Sequence, residues 1–228
     1  MEKKYYQAYE DRYKVIHEKG LSWSSEQCSP IVMDTIKKYN ISRNHKLLEI
    51  GCGEGRDSRV VLENRYNLFA ADISNEAIEY CKKYMPEFKN HFSVLDCLSN
   101  DMNETFDFIY GIAVIHMLVL DNDRDGFYQF IYHHLNDDGI ALICTMGDGD
   151  FEMQSDINKA FELQERNHEI GKVMVAGTSC RMVSFDTFEK ELNRNQFEII
   201  EKGITQALPD FDCLMYAIVK KKGGILNE

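Results

Sequence analysis

The hydrophobic pattern changes character along the chain. Over residues 1 to 40 apolar side chains recur at mixed three- and four-residue spacing, with Tyr5, Tyr6, Tyr9 and Tyr13 on that rhythm, which predicts an amphipathic helix. A break from Gly20 to Pro30 contains Trp23, and a second helix is predicted over Ile31 to Tyr39. From residue 46 short apolar runs alternate with helical stretches. KLLEI reads as a buried strand, GCGEGRDS as a turn opening a helix through Val60, Val61 and Leu62, and NLFAAD as a second strand. Ser74 is placed to cap a helix that runs to Met85 and stops at Pro86. FSVLD and FDFIYGIAVI hold a third and a fourth strand. A helix from Asp123 to Leu135, a turn over Asn136 to Gly139 and the strand IALICT follow.

The alternation then stops. A charged helix is predicted from Asp156 to Glu169, followed by the glycine-containing stretch GKVMVAGTSCRMV. A helix from Ser184, a strand near FEIIEK, a turn around Pro209 and the strand CLMYAIVKK complete the chain. Apolar strands alternating with helices predict an α/β fold: a doubly wound, mostly parallel seven-stranded sheet with helices on both faces. The short link between the last two strands makes a C-terminal hairpin, so the final strand is antiparallel to the rest. The 228 residues suit one such domain. Its expected parts are an N-terminal helical lid (1–40), a core (41–146), an insertion (147–183) and a C-terminal helix with hairpin (184–222).

Composition narrows the class. A formal net charge of -12 disfavours a nucleic-acid partner, because phosphate binding wants clustered Lys and Arg. The seven cysteines show neither CxxC nor Cys/His ligand spacing, which argues against a metal site and for reduced thiols in a cytoplasmic protein. MEKKYYQAYEDRY lacks an apolar signal core and no run reaches membrane-span length, so no membrane partner is expected.

The candidate chemistry centres on Gly51, Gly53 and Gly55. In an open parallel sheet ligands bind beyond the carboxyl ends of the strands, and glycines there let backbone approach closely. A phosphate loop needs a Lys after its last glycine, and none follows Gly55. The dinucleotide pattern GxGxxG needs glycine where this chain has Arg56. Asp72 ends the second strand 21 residues beyond Gly51, close to the spacing of a ribose-binding acid. A tight packing turn and a strand-end helix cap are the plainer readings of these same residues.

In order, EIGCGEG, AADIS, VLDC, FDFIYGIAVIHML and LNDDGIALICT resemble the class I S-adenosylmethionine (SAM)-dependent methyltransferases over about residues 46 to 146. The wording GCGEGRDS is similar to that of the tellurite-resistance and thiopurine group of small-molecule methyltransferases. The resemblance implies that SAM is the cofactor and S-adenosylhomocysteine (SAH) the product. It implies that Gly51 and Gly53 lie against the methionine part, with Glu49 toward its amino group and Gly111 and Ile112 bordering it. Asp72 would bind the ribose hydroxyls, Ile73 pack on adenine, Asp96 accept from its exocyclic amine, and the Cys97 backbone N–H contact a ring nitrogen. Arg56 departs from the small residue common in the family; it either neutralises the SAM carboxylate or starts the helix in solvent.

By the same resemblance His116 faces the cofactor cleft and is the candidate general base, with a packing role as the plainer reading. His133 and His134 read as surface or helix-end residues. His168 and Arg181 belong to the insertion and are placed to reach a substrate, though nothing singles them out; Asp148 and Asp150, acids just after the fifth strand, read either as holding a cationic or hydroxylated acceptor or as an ordinary acidic loop. Tyr13 and Trp23 are either the apolar face of a docked helix or a lid over the sulfonium through cation–π contact. The function expected is methyl transfer to a small-molecule acceptor by a monomer or homodimer. A non-catalytic SAM-binding domain and a nicotinamide-dependent oxidoreductase are the alternatives.

Overall fold

The computed structural model describes residues 3–24, 27–205 and 214–223. A 3-10 turn over Tyr5–Gln7 leads into Ala8–Glu18 (α1), and Pro30–Lys38 (α2) precedes the sheet. Then come Lys46–Ile50 (β1), Arg56–Glu63 (α3), Asn67–Asp72 (β2), Asn75–Tyr84 (α4), Phe92–Val94 (β3) and Phe106–Ile112 (β4). Asp121–His134 (α5) and Leu135–Met146 (β5) follow. Four short strands are next: Met153–Gln154 (β6), Leu163–His168 (β7), Gly171–Ala176 (β8) and Arg181–Met182 (β9). Phe185–Arg194 (α6), Phe197–Thr205 (β10) and Leu214–Lys221 (β11) close the fold.

The sheet order is β10-β11-β5-β4-β1-β2-β3. The neighbours of β1 are both parallel to it, while β11 runs antiparallel to β5 and β10. This is the doubly wound, mostly parallel seven-stranded sheet with an antiparallel C-terminal strand that the pattern predicts. Chain order reverses between β1 and β4, so the loops after these two strands diverge and leave a cleft. Successive β1 residues face opposite layers, Leu47 belonging to the core cluster that holds Val61 and Ile78 and Leu48 to the one that holds Phe127 and Ile131. Both faces are therefore dry, which explains why β1 reads as an uninterrupted apolar run.

Helix starts follow their local chemistry. The Ser74 side chain accepts the Ala77 N–H at the head of α4, and Ser184 accepts from Thr187 at the head of α6. Pro30 stands at the first turn of α2, where its missing N–H costs no hydrogen bond. The turn expected around Pro209 lies outside the described residues.

Three expectations are corrected. The helix predicted from Asp156 to Glu169 is instead a 3-10 turn at Ile157–Lys159 followed by the antiparallel hairpin β7–β8. Its partner strand decides this: Val173 and Val175 of β8 bury against Ile16 of α1, so tertiary packing overrides the helix preference of a charged segment. The turn predicted at Asn136–Gly139 is a register irregularity inside β5, where Leu135 opposes Phe106 and Ile140 opposes Phe108. The Asn136 amide donates to Asp107 Oδ1 at 2.7 Å and holds the bulge against β4. His134, read as a surface group, is buried, with Nδ1 2.9 Å from the Glu104 carbonyl and Nε2 3.0 Å from Asp101. Among the described residues no helix is long and apolar enough to cross a membrane.

Candidate active site

The glycine turn is built around Asp72. Its Oδ2 accepts the Gly53 N–H and its Oδ1 the Ser74 N–H, each at 2.8 Å, so one carboxylate ties the loop after β1 to the start of α4. Asp72 is 8% exposed, and burial pushes its carboxyl up to about 6 against the lowering effect of those two N–H groups. Gly51 and Gly53 have φ of 72° and 53°, a left-handed backbone that side chains resist. A Cβ on Gly51 would overlap Val114, and one on Gly53 would stand 2.8 Å from the Tyr13 hydroxyl. Both glycines are thus demanded by the protein's own packing at this spot, in addition to whatever backbone access they give a ligand.

Two adjoining cavities open here. The smaller, about 90 Å³, is lined by Asp72 and Ile73 after β2, by Leu95, Asp96, Cys97 and Leu98 after β3, and by Tyr6 and Phe127. Asp96 accepts from the Leu98 N–H at 3.0 Å and the Ser99 hydroxyl at 2.7 Å, capping its own turn while bordering the cavity. Burial first, and then Asp96, push the Cys97 thiol up to about 12, so it stays protonated at neutral pH. The larger cavity, about 810 Å³, includes Glu49, Gly51, Gly53, Arg56, Ile112, His116 and Trp23. Gly51, Tyr9 and Tyr13 line both, so the two form one continuous cleft. Gly111 lines neither, since it lies inside β4 with Phe127 packed over it.

Acidic groups under the loop are already engaged. Glu49 accepts from the Ser58 hydroxyl and, at 3.0 Å, from Tyr110; burial and the nearby Asp57 raise its carboxyl. Asp57 accepts from the Ser29 N–H (2.6 Å) and hydroxyl (2.8 Å) and pairs with Arg56 at 2.9 Å. Arg56 is therefore neither a free solvated group nor an uncommitted cation. His116 occupies the 3-10 turn Ile115–Met117 after β4 and is 3% exposed; burial and then Arg124 lower its pKa to about 3. The imidazole is neutral at physiological pH.

The N-terminal segment roofs the larger cavity through contacts the sequence did not announce. Glu54, within the glycine turn, accepts the Trp23 N–H (2.8 Å) and the Ser24 N–H and hydroxyl (2.6 Å each), and lies 2.8 Å from His17 Nε2. These partners hold the Glu54 carboxyl below its usual range despite burial. Trp23 turns one ring toward the Arg12 guanidinium at 4.7 Å and the other way meets His168 at 6.0 Å. His168 in turn contacts the Ser22 carbonyl at 2.8 Å. The hairpin β7–β8, α1 and the Trp23 segment thus form a single roof fastened by Glu54. Glu54→Ala removes that fastening, and the Trp23 and Ser24 amides should then exchange at least about tenfold faster by hydrogen–deuterium exchange. Unchanged protection at those two amides would show that the roof is held elsewhere.

Other sequence candidates sit apart. Arg181 donates to the Val119 carbonyl and pairs with Asp121 at 2.7 Å, a strut between β9 and α5. Asp148 accepts the Asp150 and Phe151 N–H groups in an exposed turn, and neither acid lines the cleft.

Comparison with known proteins agrees with this architecture. Residues 48–141 match the methyltransferase domain family. The malonyl-[acyl-carrier protein] O-methyltransferase of Bacillus anthracis is 29% identical over 140 residues, covering 58% of this chain and 49% of that one. The chain thus spans about half the length of that relative. Among solved structures, the CcbJ methyltransferase from Streptomyces caelestis superposes with a TM-score of 0.70 at 9% identity, covering 95% of this chain and 99% of the other. The glycopeptide N-methyltransferase MtfA complexed with SAM gives a TM-score of 0.64 at 17% identity, covering 87% and 95%. The chain thus shares its fold with solved SAM-dependent methyltransferases, and its residues 48–141 are similar in sequence to a methyltransferase domain.

Proposed function

We propose that the protein transfers the methyl group of SAM to a small-molecule acceptor bound beneath the N-terminal roof. The observation that carries this reading is the continuity of the two cavities at Gly51, Tyr9 and Tyr13. A recess of about 90 Å³ with acids at the ends of β2 and β3 opens there into a larger chamber roofed by α1 and the hairpin. The residues suit SAM. Two carboxylates can accept from ribose hydroxyls (Asp72) and an exocyclic amine (Asp96), and Ile73 and Leu98 offer apolar faces to a base.

SAM supplies a methyl group on a sulfonium, already activated for in-line displacement. What remains for the protein is alignment and exclusion of water, which in favourable cases lower a barrier by about 7 to 11 kcal/mol. Asp72 and the backbone of Gly51 and Gly53 would fix the cofactor, with Glu49 beneath its amino end and Ile112 beside it. The Cys97 backbone would meet the base, and Tyr13 and Trp23 would close the chamber. Arg56 acts on this account through Asp57 and Ser29, keeping the head of α3 in register. His116 lines the acceptor chamber. A conjugate acid with a pKa near 3 holds a proton weakly, so we assign His116 to accepting a hydrogen bond from the acceptor rather than to storing its proton.

Asp72 gives the reading a pH signature. Its carboxyl protonates as pH falls through about 6, and the protonated form loses the charge that a ribose hydroxyl would favour. SAM affinity measured by calorimetry should be flat above neutrality and weaken by about tenfold for each pH unit below 6. A constant affinity down to about pH 5 would contradict the ribose assignment. The reading as a whole is tested by a structure with SAH bound. The base should lie between Ile73 and Leu98 with the ribose on Asp72. Density for SAH anywhere else would overturn it.

A further inference from the structure

The roof carries a charge arrangement that the methyl-transfer reading does not use. Arg12 of α1 is 4% exposed and held between two aromatic rings, 4.6 Å from the Tyr9 centroid and 4.7 Å from that of Trp23. It donates to the Ala176 carbonyl (2.8 and 3.1 Å), the Gly177 carbonyl (2.9 Å) and the Thr178 hydroxyl (3.0 Å). Arg166 of β7 donates to the same Gly177 carbonyl at 3.2 Å and to Gln164 at 2.8 Å. Two guanidinium groups therefore converge on one carbonyl oxygen, and their hydrogen-bond acceptors among the described residues are neutral. Burial lowers the Arg12 pKa and the neighbouring Arg166 charge lowers it further.

Among the described residues, the buried acids of this cavity are engaged elsewhere. Glu54 is taken by His17, Trp23 and Ser24; Asp57 by Ser29 and Arg56; Glu49 by Ser58 and Tyr110. On the hairpin Glu165 pairs with Lys172 at 2.6 Å, while Glu169, near the exposed tip, lines the same cavity. In a chain of formal net charge -12, an arginine pair whose hydrogen-bond partners among the described residues are neutral stands out in the wall of the larger cavity. A guanidinium carries five N–H donors; Nε and Nη2 of Arg12 and Nη2 of Arg166 hold the two groups in position on protein acceptors, leaving Nη1 of Arg12 and Nε and Nη1 of Arg166 to donate to an oxyanion. The rest of the chamber wall includes Met117, Met146, Met153 and Met182, pliable apolar side chains that mould to a hydrophobic body.

We propose that the methyl acceptor is amphipathic and carries an oxyanion, a carboxylate or a phosphate monoester, bound by Arg12 and Arg166 while its apolar body lies along the methionines. This rests on the SAM reading above. The competing occupant is the carboxylate of SAM itself, and a test must separate the two.

The full-length protein saturated with SAH is titrated calorimetrically, at constant ionic strength, with benzoate, phenyl phosphate and neutral benzamide. At least one anion should bind about tenfold or more tightly than benzamide, the size expected for a hydrogen bond to a charged group. Which anion does so separates the carboxylate from the phosphate. Arg166 is exposed, so Arg166→Gln should fold; it should abolish the preference for the anion while leaving SAH affinity within about threefold. Anions that bind no better than benzamide overturn the proposal. So does a tenfold loss of SAH affinity in Arg166→Gln, which would assign the pair to the cofactor's carboxylate. Failure of SAH to bind the unaltered protein would instead remove the SAM reading, and this proposal with it.

Discussion

Asp72→Asn should weaken SAM binding by about 100-fold or more while the protein stays folded, as read by calorimetry beside circular dichroism. The size follows from hydrogen bonds to a charged acceptor, worth about 1.5–3 kcal/mol each, of which the ribose would make two. The substitution is nearly isosteric yet chemically asymmetric. Each Asp72 oxygen now accepts a backbone N–H, from Gly53 on one side and Ser74 on the other. An amide has one oxygen and one NH₂, so whichever way it turns a donor faces a donor, and either the glycine turn or the head of α4 loses its anchor. The loss of affinity therefore combines a missing charge with a displaced loop. A folded Asp72→Asn protein that binds SAM as tightly as the parent would mean that the ribose is held by other groups.

The second large effect concerns stability rather than binding. Arg124 and Glu191 are 0% and 1% exposed and meet in a two-point ion pair, Nε to Oε1 at 2.8 Å and Nη2 to Oε2 at 2.7 Å. The Tyr128 hydroxyl donates to the same carboxylate at 2.8 Å. Arg124 also donates from Nη1 to the carbonyls of Ile115 (2.9 Å) and Leu118 (3.2 Å), the turn that presents His116. Removing one partner strands a buried charge, which costs about 3–5 kcal/mol. Against a typical total of about 5–15 kcal/mol, Glu191→Ala should shift the urea midpoint far downward. A loss below about 1 kcal/mol would show that water or another group reaches Arg124. Because the freed guanidinium also releases the His116 turn, turnover should fall more than SAM affinity does.

How much of this was readable in the sequence depends on where each constraint lies. The strands β1, β2, β4 and β5, the cap at Ser74 and the helix start at Ser184 were visible because their causes are local: unbroken apolar runs and side chains that reach only a few residues. Asp72 was visible through its spacing from Gly51. The hairpin at residues 163–176 was not, because LQERNHE has the composition of an exposed helix. Its strand character comes from Val173 and Val175 meeting Ile16, a contact made across the fold. The same distance hid Glu54, whose partners lie at residues 17, 23 and 24. Arg12 and Arg166 were hidden likewise, one set among tyrosines and the other inside a misread helix. His134 was misplaced because the groups it meets, the Glu104 carbonyl and Asp101, lie far from it in sequence.

The glycine turn itself is sharpened rather than replaced. Alternate glycines suggested backbone meeting a ligand; in the fold, Val114 and Tyr13 already occupy the space a Cβ would need. The turn is therefore a packed, preformed element, and specificity for the cofactor has to come from the acids and apolar faces around it.

That assignment meets its most direct test in a competition of cofactors. The full-length protein is titrated by calorimetry with SAH and, separately, with NADH. SAH should bind with a stoichiometry of about one per chain, and NADH should give no saturable heat, as expected for a loop in which Arg56 stands where the dinucleotide pattern has its third glycine. Saturable binding of NADH with none of SAH would contradict the account at its centre.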